Sequence, residues 1–218
     1  EEFRRSRHRL LSTIAWQLGG GRTYALEGSV FVAGSLVKWL RDDLGLIGSA
    51  AETESLARSV PDSGGVQIVP AHSGLGAPWW RPDARGAISG LSFATRRAHI
   101  ARAALEAMAH QTHDLMAAFA ADGAPWEVLK IDGGMASNGW LAQDLADVLD
   151  LTVERPGFVE TTALGAAMLA GVGCGMFGSL EEAAAMRGAV ERFEPAMERE
   201  VREARLAGWK KALEGVLG

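Results

Sequence analysis

Val128 to Leu149 reads VLKIDGGMASNGWLAQDLADVL, and this stretch decides the fold. Val128, Leu129 and Ile131 form a short β-branched and aliphatic run, whereas Leu141, Leu145, Val148 and Leu149 recur at helical spacing. A strand therefore gives way to a helix at Gly133 and Gly134. Adjacent glycines let the backbone take positive φ and leave main-chain atoms bare of any Cβ. The helix that follows aims unpaired N–H groups at the same spot. A flat or charged ligand fits such a turn, and so does a plain strand-to-helix reversal; this stretch by itself leaves both open.

Outward from it the period of the apolar residues alternates between strand and helix. Leu10 to Glu27 reads as a hairpin, with turn residues Gly19 to Gly21 between LLSTIAW and RTYALE. Ala33, Val37, Leu40 and Leu44 make a helical stripe that ends near Gly45, Ala50 to Ser59 is a second short helix, and VQIVP at Val66 to Pro70 is a buried strand. Ala71 to Gly86 is a long loop whose paired tryptophans, Trp79 and Trp80, argue for order. AISGL continues as a strand, and Thr95 is the expected N-cap of a long helix from Ala98 to Ala120 that buries Ile100, Ala104, Leu105, Met108, Leu115 and Phe119. After Leu149 come a strand at TVERP, a small-residue helix from Thr161 to Gly171, and a charged tail helix carrying Val201, Leu206, Trp209, Leu213 and Val216. The order implies a layered α/β domain with a mixed sheet.

The bulk properties narrow the function. The 218 residues, 48% hydrophobic, can fill a sizeable core. Twenty-two basic against 27 acidic side chains leave a net charge of −5, which favours neither nucleic acid nor an anionic membrane. The single cysteine, Cys174, rules out an internal disulfide, fits a reducing, cytoplasmic setting, and reads as a buried small residue. No apolar run reaches the length of a membrane span, and the charged opening EEFRRSRHRL runs straight into a strand as though from mid-protein. There is no Walker motif, and GLGAP at Gly74 to Pro78 is no dinucleotide fingerprint because Pro78 and Trp79 stand where a helix should start. His110, His113 and Asp114 lack a further metal ligand and read as a solvated helix face; Asp144 and Asp147 read as surface carboxylates. No metal site is expected.

Six stretches taken together carry more: YALEGSVFVAGSLVKWLRDDLGLI, VPAHSGLGAPWWRPDARGAISGL, HIARAALEAMAHQT, LKIDGGMASNGWLAQDLADVL, VERPGFVETTALGAAMLAG and AGWKKAL. In this order they resemble the FGGY carbohydrate kinase family, and within it the glycerol-phosphorylating branch, over nearly the whole chain. The resemblance implies an α/β ribonuclease H-like (actin-like ATPase) domain, a mixed sheet flanked by helices. Residues 1–218 would then be the C-terminal, nucleotide-binding lobe of a two-lobed cytoplasmic kinase. It implies ATP with Mg2+ as the phosphoryl source, and ATP or ADP contacts at Gly34, Lys38, Gly133, Gly134 and Asn138. At the position of Lys38 the family commonly has glutamine. Glycerol would be held by a lobe upstream of Arg4. The aspartate general base in GDQQ and the GTG phosphate loop would lie upstream as well, so no catalytic residue is expected here and the isolated chain should be inactive. A homo-oligomeric full-length protein is the further expectation, as is a pentulose kinase or a non-catalytic nucleotide-binding module as the rival reading.

Overall fold

The computed structural model describes residues 3–18, 20–158 and 160–218. The chain divides into two compact units, residues 1–126 with 197–218, and residues 127–196.

The first unit opens with an antiparallel hairpin of β1 (Leu11–Leu18) and β2 (Gly21–Glu27), its register shifted by a bulge between Ile14 and Trp16. Gly19, part of the expected turn, lies outside the described residues. Helix α1 (Gly34–Asp42) buries Leu36, Val37 and Leu40, spaced as one helical face. Leu44 departs from the expected stripe and is exposed, because the helix stops two residues before it. Helix α2 (Glu52–Arg58) leads to β3 (Gln67–Val69), paired antiparallel with β4 (Ala87–Ser89). The loop between these strands is folded on itself: Leu75 and Arg81 exchange backbone hydrogen bonds of 2.9 Å, and Trp79 and Trp80 both donate their amides to the Gly76 carbonyl. Its tryptophans serve packing, since Trp79 lies against a core of Val69, Ala71, Leu75 and Ala84 and the Trp80 indole donates to the Arg9 carbonyl at 2.7 Å.

Helix α3 (Arg97–Ala121) is the unit's spine. Thr95 is not its N-cap. The Thr95 hydroxyl accepts from the Ser92 amide, and the helix starts at Arg96, whose N–H donates to Nδ1 of His99 at 3.0 Å. Ala104, Leu105, Met108 and Leu115 are buried as expected, while Ile100 and Phe119 are half-buried.

In the second unit β5 (Leu129–Lys130) pairs parallel with β6 (Val153–Pro156), and β7 (Val190–Phe193) adds to β6 antiparallel, so the sheet is mixed. Helix α4 (Gly139–Leu149) connects β5 to β6, the right length for a parallel crossover, and buries Leu141, Leu145, Val148 and Leu149. Asp144 is buried as well, not a surface carboxylate, and Asp147 is half-buried where it accepts the Ala196 amide at 2.7 Å. Helix α5 (Thr161–Gly173) is followed by the short α6 (Leu180–Ala183) and β7, two elements that the apolar periodicity did not announce. Cys174, at the end of α5, is exposed rather than buried.

The chain returns to the first unit with α7 (Arg199–Leu217), which buries Trp209 and Leu213 against the β3 core. Trp209 donates its indole N–H to Oδ2 of Asp114 at 2.9 Å and stacks on His110 with ring centroids 5.4 Å apart. His110 is therefore core, 1% exposed, and the solvated face expected for His110 and Asp114 does not exist; the tail helix covers it. Among the described residues no helix is long and apolar enough to cross a membrane.

Candidate functional site

The glycine turn is more elaborate than a direct strand-to-helix step. Backbone hydrogen bonds from Leu129 to Thr152 and from Ile131 to Glu154 carry the parallel ladder up to Asp132. Gly133 then takes φ +77°, a left-handed value that only glycine adopts without strain. Gly134 to Ser137 make one 3-10 turn before α4 begins. Asn138 is the helix cap: its Oδ1 accepts the Leu141 amide at 2.9 Å, satisfying one of the donors that a helix start leaves free. A Cβ placed on Gly133 or Gly134 would meet nothing within 4 Å. The glycines are thus not required by neighbouring side chains. They leave an open backbone face, with Gly134 exposed and Asn138 8% exposed. The structure brings Gly133, Gly134 and Asn138 together in one loop.

Arg155 holds this loop from below, a role that sequence reading missed. It projects from β6, donates Nη1 to the Ala136 carbonyl at 2.8 Å, pairs with Glu191 at 2.6 Å and lies 5.0 Å from the centroid of the Phe193 ring. The signal was an arginine inside the TVERP strand, legible only once β7 supplied Glu191 and Phe193. Asp132, the last residue before the glycines, accepts a hydrogen bond from the Thr161 hydroxyl in the first turn of α5. Beside it a cleft of about 450 Å³ is lined by Lys130, Asp132, Glu154, Thr161 and Arg187 together with Leu164.

Gly34 and Lys38 lie in the first unit. Val32, buried ahead of α1, accepts Nε2 of Gln111 at 3.1 Å, so α3 fixes where the helix begins. The residue before Gly34, Ala33, offers no side-chain cap, and the first turn holds no acidic residue, which leaves the N–H end electropositive. Lys38 follows one turn later on the same face and is exposed. Arg41, with a smaller share from Lys38, holds the Asp42 carboxyl below its ordinary value. The residues thus offer a bare backbone turn with a capped helix in one unit, and in the other a helix start with a lysine one turn on. Both arrangements suit a ligand carrying a flat face and negative charge. Among the described residues no three His, Cys, Asp or Glu side chains converge as a metal cage.

A family model described as the FGGY family of carbohydrate kinases, C-terminal domain, matches residues 5–174. The chain belongs to this family. Among its relatives, a glycerol kinase of Rhodospirillum centenum is 56% identical over 208 residues, covering 95% of this chain and 42% of that protein. A glycerol kinase of Methylobacterium nodulans is 54% identical, covering 98% of this chain and 43% of its own length. Among solved structures, a Plasmodium falciparum glycerol kinase with ADP superposes with TM-score 0.87 at 36% identity, over 98% of this chain and 43% of that one. The xylulose kinase of Rhodospirillum rubrum superposes with TM-score 0.78 at 25% identity, over 95% of this chain and 42% of that one. The chain thus spans less than half the length of these FGGY kinases. Its fold is theirs, α/β of the ribonuclease H-like, actin-like ATPase kind.

Proposed function

We propose that this chain, taken over residues 1–218 as one C-terminal domain, is the nucleotide-binding lobe of a cytoplasmic, homo-oligomeric glycerol kinase. The full protein would transfer the γ-phosphoryl group of Mg-ATP to a terminal hydroxyl of glycerol, giving glycerol 3-phosphate. The observation that carries this reading is the identity of 52–56% to proteins named glycerol kinase along nearly the whole chain. The open Gly133–Gly134 face supports the assignment of the nucleotide to this lobe. In the second unit Gly133 and Gly134 would let adenosine lie against bare backbone, with Asn138 fixing the loop. In the first unit Gly34 would be approached in the same way, and Lys38 would meet a phosphate oxygen or a ribose hydroxyl. Phosphoryl transfer rests on positioning and charge stabilisation, and this lobe's share is to hold and orient the nucleotide. Glycerol and the general base would belong to the remainder of a longer protein.

Calorimetry with ADP or ATP tests the lobe's role. The chain should give a binding heat at roughly millimolar nucleotide, the affinity expected of a partial, open site. Gly134→Trp, at a position where an added Cβ meets nothing within 4 Å, covers the open face and should remove that heat; equal heats in both proteins would falsify the assignment. The likeness to xylulose kinase favours one rival, phosphorylation of a pentulose. A full-length protein carrying this sequence decides between them by turnover on glycerol against xylulose. Absence of turnover on either would leave a non-catalytic nucleotide-binding module.

A further inference from the structure

The chain is acidic overall, yet Arg4, Arg5, Arg7, His8 and Arg9 crowd into six consecutive residues with no acidic residue among them. All five are exposed, and among the described residues Arg4, Arg5 and Arg7 form no ion pair. Asp122 is occupied in shaping the segment: it accepts the Ser6 hydroxyl at 2.5 Å and the Arg7 amide at 2.8 Å. The Ser6 hydroxyl in turn accepts the amides of His8 and Leu10, and its own N–H donates to the Ser12 hydroxyl at 3.0 Å. The backbone under the arginines is therefore fixed, while among the described residues no carboxylate pairs with the guanidinium groups of Arg4, Arg5 and Arg7.

Arg4 and Arg5 line a cleft of about 650 Å³ together with Ser6 and Asp122, and its apolar walls include Tyr24, Leu26, Phe119 and Trp126. Phe119 and Trp126 pack ring to ring at 5.2 Å and rest on the core of Leu10, Ala77, Leu115 and Ala118, so this wall is rigid. Tyr24, the chain's single tyrosine, is braced edge-on by Phe3 at 5.4 Å. A second depression shares Arg4, Arg5, Ser6, Asp122 and Gly123 and adds Arg7 and His8. Volumes of roughly 300–1,000 Å³ with an apolar lining and few polar anchors are those of small-molecule sites. Guanidinium forks match the geometry of phosphate oxygens, and unpaired ones lose no partner on binding.

We propose that this cleft is a second ligand site, taking a phosphate ester whose aromatic or apolar body lies on Tyr24, Phe119 and Trp126 while Arg4 and Arg5 hold the phosphate. It shares no residue with those assigned to the nucleotide and does not depend on that reading.

Phenyl phosphate is a suitable probe, since it has the ring and the dianion but no purine or ribose. Titrated calorimetrically into the chain it should bind with a Kd on the order of 0.1–1 mM, with inorganic phosphate at least about tenfold weaker for want of the ring. Arg4→Glu with Arg5→Glu, both exposed and so tolerated by the fold, should weaken phenyl phosphate by about tenfold or more. Tyr24→Leu should weaken it severalfold, and Gly134→Trp should leave it unchanged. The proposal is overturned by three results: no saturable heat up to about 10 mM probe, equal binding by the double arginine variant, or loss of binding in Gly134→Trp. It is equally overturned if the chain pellets with phosphatidylglycerol vesicles through these arginines while giving no heat with phenyl phosphate.

Discussion

At the scale of single residues, Asp114 and His110 show how a buried contact becomes a dependence on pH. Burial pushes the Asp114 carboxyl up to about 6, against the opposing effect of indole N–H donors from Trp209 and Trp79. Burial pushes His110 down to about 3, helped by the positive charges of Arg205 and His113. The two act in opposite senses. Asp114 binds its proton more tightly folded than unfolded, so its penalty is absent below the ordinary carboxylate value of 3.8 and grows as pH rises through about 6. His110 is the reverse: its contribution is intact above 6.5 and is lost as pH falls towards about 3. Asp114→Asn keeps an acceptor for both indoles and removes the charge. It should raise stability at about pH 8 by up to roughly 3 kcal/mol and change little at about pH 3.5, read from urea melts across pH. His110→Phe keeps a ring on Trp209 and should lessen the loss of stability on the acid side, where His113 and the paired carboxylates still contribute. An unaltered pH profile in both variants would show that neither group is desolvated as described. Lys38 makes a second prediction at this scale. Because its side chain is exposed, Lys38→Gln should leave a full-length kinase largely active. Lys38→Glu should raise the apparent constant for ATP severalfold, worth about 1 kcal/mol, and leave that for glycerol unchanged. Unchanged ATP dependence in both would remove Lys38 from the site.

At the scale of elements, the glycine turn and the helix it starts are coupled through Asn138. Asn138→Ala deletes the cap and should cost about 1 kcal/mol in the denaturation midpoint. It should also weaken nucleotide binding, because the loop of Gly134 to Ser137 loses its anchor at the helix. A stability loss with unchanged nucleotide heat would confine Asn138 to a structural role. This turn was legible in the sequence because its signals are local: a short apolar run, two glycines and a helical stripe; the capping role of Asn138 was not. The same is true of the hairpin, of α2 and of α5. What was not legible depends on partners far along the chain. His110 and Asp114 look like a polar face on α3 until Trp209 of α7, 95 residues beyond Asp114, closes over them. β7 has burial on one residue only, Phe193, and no alternation to announce it, so it is defined by β6 alongside it. Thr95 has the chemistry of a cap, but the neighbouring turn takes its hydroxyl. Of the candidate site, Gly133 and Gly134 could be read from pattern and Gly34, Lys38 and Asn138 came from the family resemblance, whereas Arg155 acquires its meaning only from the carbonyl it meets.

At the scale of the whole molecule the question is what an apolar helix does when little covers it. α5 carries TTALGAAMLAGVG and no charged residue, the composition of a helix enclosed on several sides. In this chain Met168 and Gly171 are its buried residues, while Ala163, Ala166, Ala167, Leu169 and Ala170 are exposed, Leu169 by 49%. Met176 just beyond is 71% exposed, and Ile14 and Trp16 of β1 are more than half exposed. Apolar area of this kind is covered by association unless another part of the protein covers it. The chain spans 42–43% of the length of its relatives, so a longer protein has the material to do so. The isolated chain should therefore self-associate with rising concentration, followed by light scattering, and Leu169→Lys should shift the curve towards monomer without lowering the melting temperature. That variant separates association through α5 from aggregation of unfolded chains, which a charge on an exposed helix position would not cure at constant stability. A chain that stays monomeric at high concentration and melts cooperatively would mean that the small side chains of α5 leave too little area to drive association. The exposed alanines would then reflect close packing in a larger protein, with no free energy left over for contacts between copies.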